Sequence, residues 1–278
     1  MRLALLLLTI GAAAAHAAPP QRIVSLAPHL TELAFTAGAG DRIVATVEYS
    51  DHPDAARKIP RIGDAFRVDL ERLVALRPDA VLVWESGNPA PTIERIRALH
   101  LPVFAFQTQR LEHVATALRE IGRLAGTSEI AERAASDYER RIQQLRAEYR
   151  DRAPVRVFIE VDDQPLYTVN GKQIISEIVE LCGGRNVFAD LNEFAPAIGI
   201  EAVIAADPQA IISTDDTVAD AAAAWQRWRH IEAVRIGNVY TLRSDDIARA
   251  TTRLTVAAES VCRTLDTARE RLRAAAPR

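Results

Sequence analysis

Two stretches of this chain repeat one another, and that repeat constrains the fold more than any other feature. Leu70-Glu71-Arg-Leu-Val-Ala75-Leu-Arg-Pro78-Asp-Ala80-Val-Leu82 runs parallel to Ile200-Glu201-Ala-Val-Ile-Ala205-Ala-Asp-Pro208-Gln-Ala210-Ile-Ile212, with one constant offset holding the Glu, both Ala and the Pro in register. Each copy reads as a short helix, a proline stop and an apolar run of strand character. Earlier in each half, Glu32-Leu-Ala-Phe35 followed by Gly40-Asp-Arg-Ile-Val44 echoes Glu177-Ile-Val-Glu180 followed by Gly184-Arg-Asn-Val-Phe188. A repeat of this length implies two lobes of one topology.

The spacing of the apolar runs decides what those lobes contain. Arg22–Leu26, Ile43–Val47, Ala80–Trp84 and Val103–Phe106 are short apolar segments separated by stretches of helical periodicity. The second half opens the same way at Val155–Ile159 and continues through Val187-Phe188, Ala210–Ile212 and Asn238–Leu242. Strands alternating with helices argue for parallel βα units. Between the halves, Ser128 to Arg152 has helically spaced apolar positions and no Gly or Pro before Pro154. A helix of that length exceeds about 30 Å and would act as a stiff spine. The expected fold is therefore α/β: two Rossmann-like lobes, each a parallel sheet flanked by helices, joined by one long α-helix. Its expected bounds are 21–126 for the first lobe, 127–152 for the helix and 153–275 for the second lobe, with little relative motion between lobes.

Residues 1–17 have the layout of a secretory signal peptide: one positive charge at Arg2, an apolar run to Ala15, and an Ala15-His16-Ala17 cleavage site. The apolar run is too short to span a bilayer. No cysteine follows the cleavage site, so the expected product is a soluble periplasmic protein beginning near Ala18. Net charge is −3, which offers nucleic acid no basic field. The chain's two cysteines are Cys182 and Cys262. The secreted compartment permits their pairing, and two buried free thiols are the alternative.

Catalytic signatures are missing. The first strand leads into Ser25-Leu-Ala-Pro-His29 rather than a G-x-G-x-x-G loop, and there is no P-loop, G-x-S-x-G or H-E-x-x-H. The chain is read as a non-enzyme without a cofactor or resident metal. His29 and His52 follow the first two strands and could share the edge where ligands bind; the blander reading is two surface imidazoles. The aromatics at strand ends say more. Tyr49, Trp84 and Tyr167 lie at or after strand C-termini, and Phe66 and Phe194 lie just before the paired helices of Glu71 and Glu201. Aromatics there would line a crevice for a large, flat, apolar ligand. Asp245 and Arg249 follow the last strand, positioned either to hydrogen-bond such a ligand or to pair with each other.

Several segments together resemble a known family. Arg22–Pro28 with Thr31–Phe35, Tyr49-Ser-Asp-His-Pro53, Asp69–Asp79, Gly171-Lys172, Leu181–Gly184, Ala233–Tyr240 and Ala257–Cys262 look like the helical-backbone class of ABC-importer binding proteins, and within it the cobalamin binders. The resemblance implies a corrinoid of the cobalamin type as transported ligand, held by Tyr49, Trp84, Tyr167, Asp245 and Arg249. It implies Glu71 and Glu201 as the carboxylates that dock onto arginines of a permease dimer with its ATPase, and Cys182 with Cys262 as a disulfide in a monomer. Ala65 and Ala195 depart from that pattern, standing where the class member has tryptophans, with Phe66 and Phe194 beside them. Haem or an iron–siderophore, with His29 or His52 on the iron, is the alternative ligand within the class.

Overall fold

The structure, a computed structural model, describes residues 18–214 and 220–276. The expected signal peptide lies outside the described residues. Strands β1 (Ile23–Ser25), β2 (Ile43–Ala45), β3 (Ala80–Trp84) and β4 (Val103–Phe106) form a four-stranded parallel sheet in the order β2-β1-β3-β4. The second sheet uses β5 (Val155–Glu160), β8 (Gly184–Asn186), β9 (Ala210–Ser213) and β10 (Val239–Thr241), all parallel, in the order β10-β9-β5-β8. A small hairpin, β6 (Asp162–Asp163) with β7 (Leu166–Tyr167), stands apart. Read from its other edge, the second sheet places its first, second, third and fourth strands as the first sheet does. The sequence repeat is a repeat of topology.

The helices are α1 (Pro28–Thr36), α2 (Leu70–Ala75), α3 (Ala90–Ala98), α4 (Leu111–Ala125), α5 (Ser128–Tyr149), α6 (Ile174–Leu181), α7 (Ile200–Ala206), α8 (Ala221–Trp225), α9 (Glu232–Arg235), α10 (Ser244–Ile247) and α11 (Leu254–Ala275). Helix α4 ends at Gly126, whose φ of 67° suits a residue without Cβ, and the chain turns straight into α5. Gly122 lets the two helices close, since a Cβ there would sit 2.2 Å from that of Ala131. Helix α5 stops at Tyr149 instead of reaching Arg152, because Pro154 disfavours helical backbone ahead of it. Strand β8 also ends early. Asn186 is buried and turns the chain there, donating to Val169 O and Ser176 Oγ and accepting from the Phe188 amide. The Val187 amide makes the last bond to β5, donating to Val157 O at 2.9 Å, and Phe188 turns away to pack edge-on against Phe158 at 5.7 Å.

Side-chain alternation along the strands builds the core. Ala80 and Leu82 of β3, with Val155, Val157 and Ile159 of β5, face one continuous cluster that also takes in Tyr138, Ile142 and Leu145 of α5 and Leu254, Val261 and Leu265 of α11. The opposite strand faces bury Val81 and Val83 in a second cluster and Phe158 and Ile211 in a third. The central cluster belongs to both lobes. Sheets that share one core through two long helices have no dry hinge between them.

Two buried carboxylates cross from lobe to lobe. Glu32 of α1 is 3% exposed and takes both ends of the Arg253 guanidinium, at 3.0 and 2.9 Å. Glu177 of α6 accepts from the Leu111 amide at the start of α4 (2.9 Å) and from Arg110 (3.3 Å). These are the two acids at matching places in the repeat. Cys182, capping α6, is bonded to Cys262 of α11, a separation of 80 residues. A cross-link over that length restricts the unfolded chain by about 4 to 5 kcal/mol at most. Next to it Arg269, 5% exposed, donates to the carbonyls of Ala153 and Cys182 at 2.7 Å each.

Glu32→Ala would leave Arg253 without its buried partner. Urea unfolding should show a loss of about 3 kcal/mol, the low end for such a break because Arg253 keeps Asp246. A loss below about 1 kcal/mol would show that the pair does not tie the lobes.

Candidate functional site

The ends of the parallel strands meet across one cavity of about 600 Å³, with walls from both lobes. That is the edge at which open α/β sheets take ligands, and the volume is that of a small-molecule pocket. The first lobe contributes the residues that follow β1, β3 and β4.

His29 comes first, one residue after the proline that opens α1. It is 6% exposed, so it is no surface imidazole. Its Nε2 shares a hydrogen bond with Thr108 Oγ1 at 3.1 Å, and the ring meets Trp84 edge-on at 5.1 Å. Burial first, then the charge of Arg249, push its pKa down to about 3. At neutral pH the ring is uncharged.

Trp84 ends β3, and its environment is held by Asn88. The Asn88 amide accepts from the Trp84 N–H (2.7 Å) and donates to Leu26 O (2.9 Å) and Ala65 O (2.7 Å). One buried side chain thus joins the ends of β1 and β3 to the loop that carries Phe66. Gly87 makes room for the indole, as a Cβ there would lie 2.0 Å from the ring. The indole Nε1 is buried without a hydrogen-bond partner among the described residues.

Phe66 stands on a tight turn. Asp64 Oδ1 accepts from the amides of Phe66 and Arg67 at 2.7 Å each, and Gly63, at φ 111°, approaches Arg67 O too closely to carry a Cβ. The second lobe supplies Phe194, whose carbonyl accepts from the Asn170 amide at 3.2 Å. The two phenylalanines are 64% and 43% exposed and line the same cavity from opposite lobes. Gln173 and Ile174, at the start of α6, and Ala248 to Ala250 complete the second-lobe wall.

Arg249 lines the cavity and is paired at both of its terminal nitrogens. Its Nη1 donates to Asp51 at 2.7 Å, and its Nη2 lies 2.7 Å from Asp245. The Asp–Arg pair anticipated as the alternative to ligand contact is formed, with a third member from the other lobe. Burial would raise the Asp51 pKa, but the hydrogen bond and charge of Arg249 hold it below the usual range. The turn carrying Asp51 is itself anchored, since buried Ser50 accepts from Thr46 Oγ1 (2.8 Å) and its carbonyl from Arg61 (2.7 Å).

The structure thus brings together Phe66, Trp84, Phe194 and Arg249, with Asp245 behind Arg249. It does not bring in the other two aromatics. Tyr49 sits at φ 64° on the turn beside Asp51, 74% exposed and outside the cavity wall. Tyr167 lies in the β6–β7 hairpin, also outside the wall. Asn88, Asp51, Thr108, Gln109 and Gln173 were not anticipated. For Asn88 a signal existed, an amide directly after a strand end in Ser86-Gly-Asn-Pro89, whereas the partner of Asp51 lies 198 residues away. His52 and His230 are exposed, and the described residues hold no cluster of three or more His, Cys, Asp or Glu that could bind a metal ion.

Glu71 and Glu201 occupy the same exposed place in the first turns of α2 and α7. Asp69 already caps α2 by accepting from the Arg72 amide at 3.0 Å. Neither glutamate makes an ion pair among the described residues.

Two α/β lobes of one topology, with an aromatic cleft between them whose wall carries one arginine, have the architecture of a solute-binding protein. The sequence model of the periplasmic binding protein family matches residues 23–245, and the chain belongs to that family. It is 34% identical over 245 residues to the vitamin B12-binding protein of Vibrio cholerae, covering 88% of each chain. It is 35% identical over 250 residues to the vitamin B12-binding protein of Pectobacterium atrosepticum, covering 87% of this chain and 88% of the relative. The crystal structure of the Vibrio cholerae periplasmic vitamin B12 binding protein BtuF superposes with a TM-score of 0.86 over 90% of this chain and 98% of that one. The haem-binding protein RhuT of Roseiflexus shares the fold at 22% identity, with a TM-score of 0.79 over 89% of this chain and 98% of that one.

The buried His29 has a consequence for stability. The folded ring stays neutral while the unfolded one protonates near pH 6.5, so the unfolded state binds the extra proton between pH 6.5 and about 3. Stability therefore falls as pH drops through that window, by about 1.4 kcal/mol per unit, or about 2 kcal/mol by pH 5. Urea unfolding at pH 7 and pH 5 should show a smaller difference in His29→Gln by that amount. Equal differences in both proteins would place the burial elsewhere.

Proposed function

We propose that this chain is a periplasmic solute-binding protein that captures cobalamin or a related corrinoid between its lobes and delivers it to an ABC importer. The observation that carries this reading is the cleft, where Trp84, Phe66 and Phe194 present aromatic surface from both lobes to one cavity. Such walls suit a flat macrocycle, and the neutral side chains of Ser86, Thr108, Gln109 and Gln173 suit its ring of peripheral amides. The relatives at 34% and 35% identity bind vitamin B12 by name. Tyr49 and Tyr167 are proposed as contacts of the bound ligand beyond the cavity wall. Residues 1–17 would direct the chain to the periplasm, where it would act as a monomer, without catalysis or a cofactor of its own.

Haem is the second reading, because His29 is an uncharged imidazole in the cleft wall. Its Nε2 is already shared with Thr108, and His52 does not line the cavity. Absorbance titration against cobalamin, cobinamide, haem and a ferric siderophore separates the two. Burying Trp84 against a corrin face contributes about 1 to 3 kcal/mol. Trp84→Ala should therefore weaken corrinoid binding about 5- to 150-fold. Unchanged affinity would remove the cleft from the reading.

Glu71 and Glu201 are proposed as docking residues for arginines on a permease dimer. The cap at Asp69 means that α2 does not need a second acid for its own end, yet both lobes carry one at the same repeat position. Lobes held apart by a stiff helix present both carboxylates with little reorganisation on docking. In the Glu71→Ala, Glu201→Ala double variant, uptake into cells should be lost while affinity for the corrinoid stays as in the wild type. Normal uptake would refute the docking role.

A further inference from the structure

Arg249 is the one cation among the described residues that line the cavity, and its charge is spoken for twice over. Asp51 holds one end of the guanidinium and Asp245 the other, each at 2.7 Å. The arginine side chain is 17% exposed and its partners Asp51 and Asp245 are 35% and 41% exposed, so these bonds are partly screened. These three side chains together carry one negative charge in excess, with the charge of Arg57 also acting on Asp51 from the first lobe. Asp245 and Arg249 belong to α10 and the turn after it, a pair the second lobe could make alone. Asp51 does not belong there. It arrives from the other lobe, on a turn fixed by Ser50 and Arg61, and adds the second negative charge.

We propose that Asp51 is a specificity-determining residue: by occupying Arg249 it denies the cleft an unpaired cation, so that the cleft accepts uncharged or cationic ligands edged with amides and rejects those edged with carboxylates. The inference rests on the corrinoid reading and deepens it. A ligand carboxylate approaching Arg249 must displace an existing carboxylate or add a third anion to the pair. An amide meets no such cost. The guanidinium has five N–H donors, so an amide carbonyl still finds one, and an amide N–H finds an oxygen of Asp51 or Asp245. The other polar wall groups are uncharged, His29 included, and offer a carboxylate no counter-ion. A haem-binding protein shares this fold, so the layout of strands and helices does not itself choose between a macrocycle bearing propionates and one bearing amides. The charge around Arg249 does.

The test uses the full mature protein and a matched pair of ligands: cyanocobalamin, and the monocarboxylate made from it by hydrolysing one peripheral amide. Absorbance titration gives the ratio of the two affinities for the wild type, Asp51→Asn and Asp245→Asn, with haem as a third ligand. Asparagine keeps the shape and one acceptor but removes the charge. The wild type should prefer the amide form, and each variant should shift the ratio toward the carboxylate by roughly tenfold, the effect of one unit charge a few ångströms away in a partly solvated site. Haem affinity should rise in the same variants. An unchanged ratio in Asp51→Asn, with cyanocobalamin still bound by the wild type, overturns the role of Asp51 whatever Asp245→Asn does, and leaves the corrinoid reading standing. A wild type that takes haem and neither corrinoid overturns the corrinoid reading itself. Should Asp51→Asn fail to fold, Asp51→Ser, which removes the same charge, decides in its place.

Discussion

The cleft depends on two carboxylates that lie behind it. Glu32 and Glu177 are each buried in one lobe and bonded to the other, and each sits directly behind a pair of cleft walls. Glu32 is on α1, the helix that opens with Pro28 and His29, and it holds Arg253, just past the Ala248–Ala250 wall. Glu177 is one turn into α6, the helix that opens with Gln173 and Ile174, and it holds the amide of Leu111, just past Thr108 and Gln109. Four of the cavity's wall segments are therefore fixed in pairs by two bonds. Buried ion pairs contribute little to stability compared with apolar packing of the same volume, since desolvation offsets most of the attraction. What they supply here is geometry: a charge without its partner has no low-energy alternative, so the lobes meet in one way.

Rigidity follows from the same arrangement. The central core is continuous from Ile23 through Tyr138 to Leu265, and α5 and α11 both contribute to it. The disulfide then joins α6 to α11, and Arg269 ties the end of α6 to the segment that enters β5. A cleft held this firmly gains affinity by losing little conformational freedom when it fills. The exposed aromatic faces of Phe66 and Phe194 are the part left for the ligand to bury.

The fold was legible because repeats and periodicities are local. A short helix, a proline and an apolar run can be read in a dozen residues, and the duplicate supplied the second lobe. The pairing of Cys182 with Cys262 followed from the compartment and the family resemblance. The site was legible only in part, for a physical reason. Trp84 ends its strand, so the parallel sheet alone aims it at the cleft. Tyr49 and Tyr167 were placed by the same logic but sit on a left-handed turn and a separate hairpin, and local backbone there re-aims the side chain. His29 had two readings, a group at the ligand-binding edge or a surface imidazole, and the structure buries it at that edge against Trp84 and Thr108. Asp51 had no signal at all, since its meaning lies in a partner 198 residues distant.

The alanines at 65 and 195, which depart from the resembled class, make sense against this geometry. Ala65 contributes its carbonyl, not its side chain, by accepting from Asn88 at 2.7 Å, and this fixes the turn on which Phe66 stands. Ala195 follows Phe194, whose carbonyl is held by the Asn170 amide. In each lobe an asparagine pins the loop, by its side chain at Asn88 and by its main chain at Asn170, and the phenylalanine beside the alanine lines the cavity. Phe66 and Phe194 are the exposed aromatic surface of that wall, worth about 25 cal/mol per Å² when a ligand buries it. The polar side of the same cleft is likewise built by both lobes, since Asp51 of one and Asp245 of the other hold the two terminal nitrogens of the arginine in its wall.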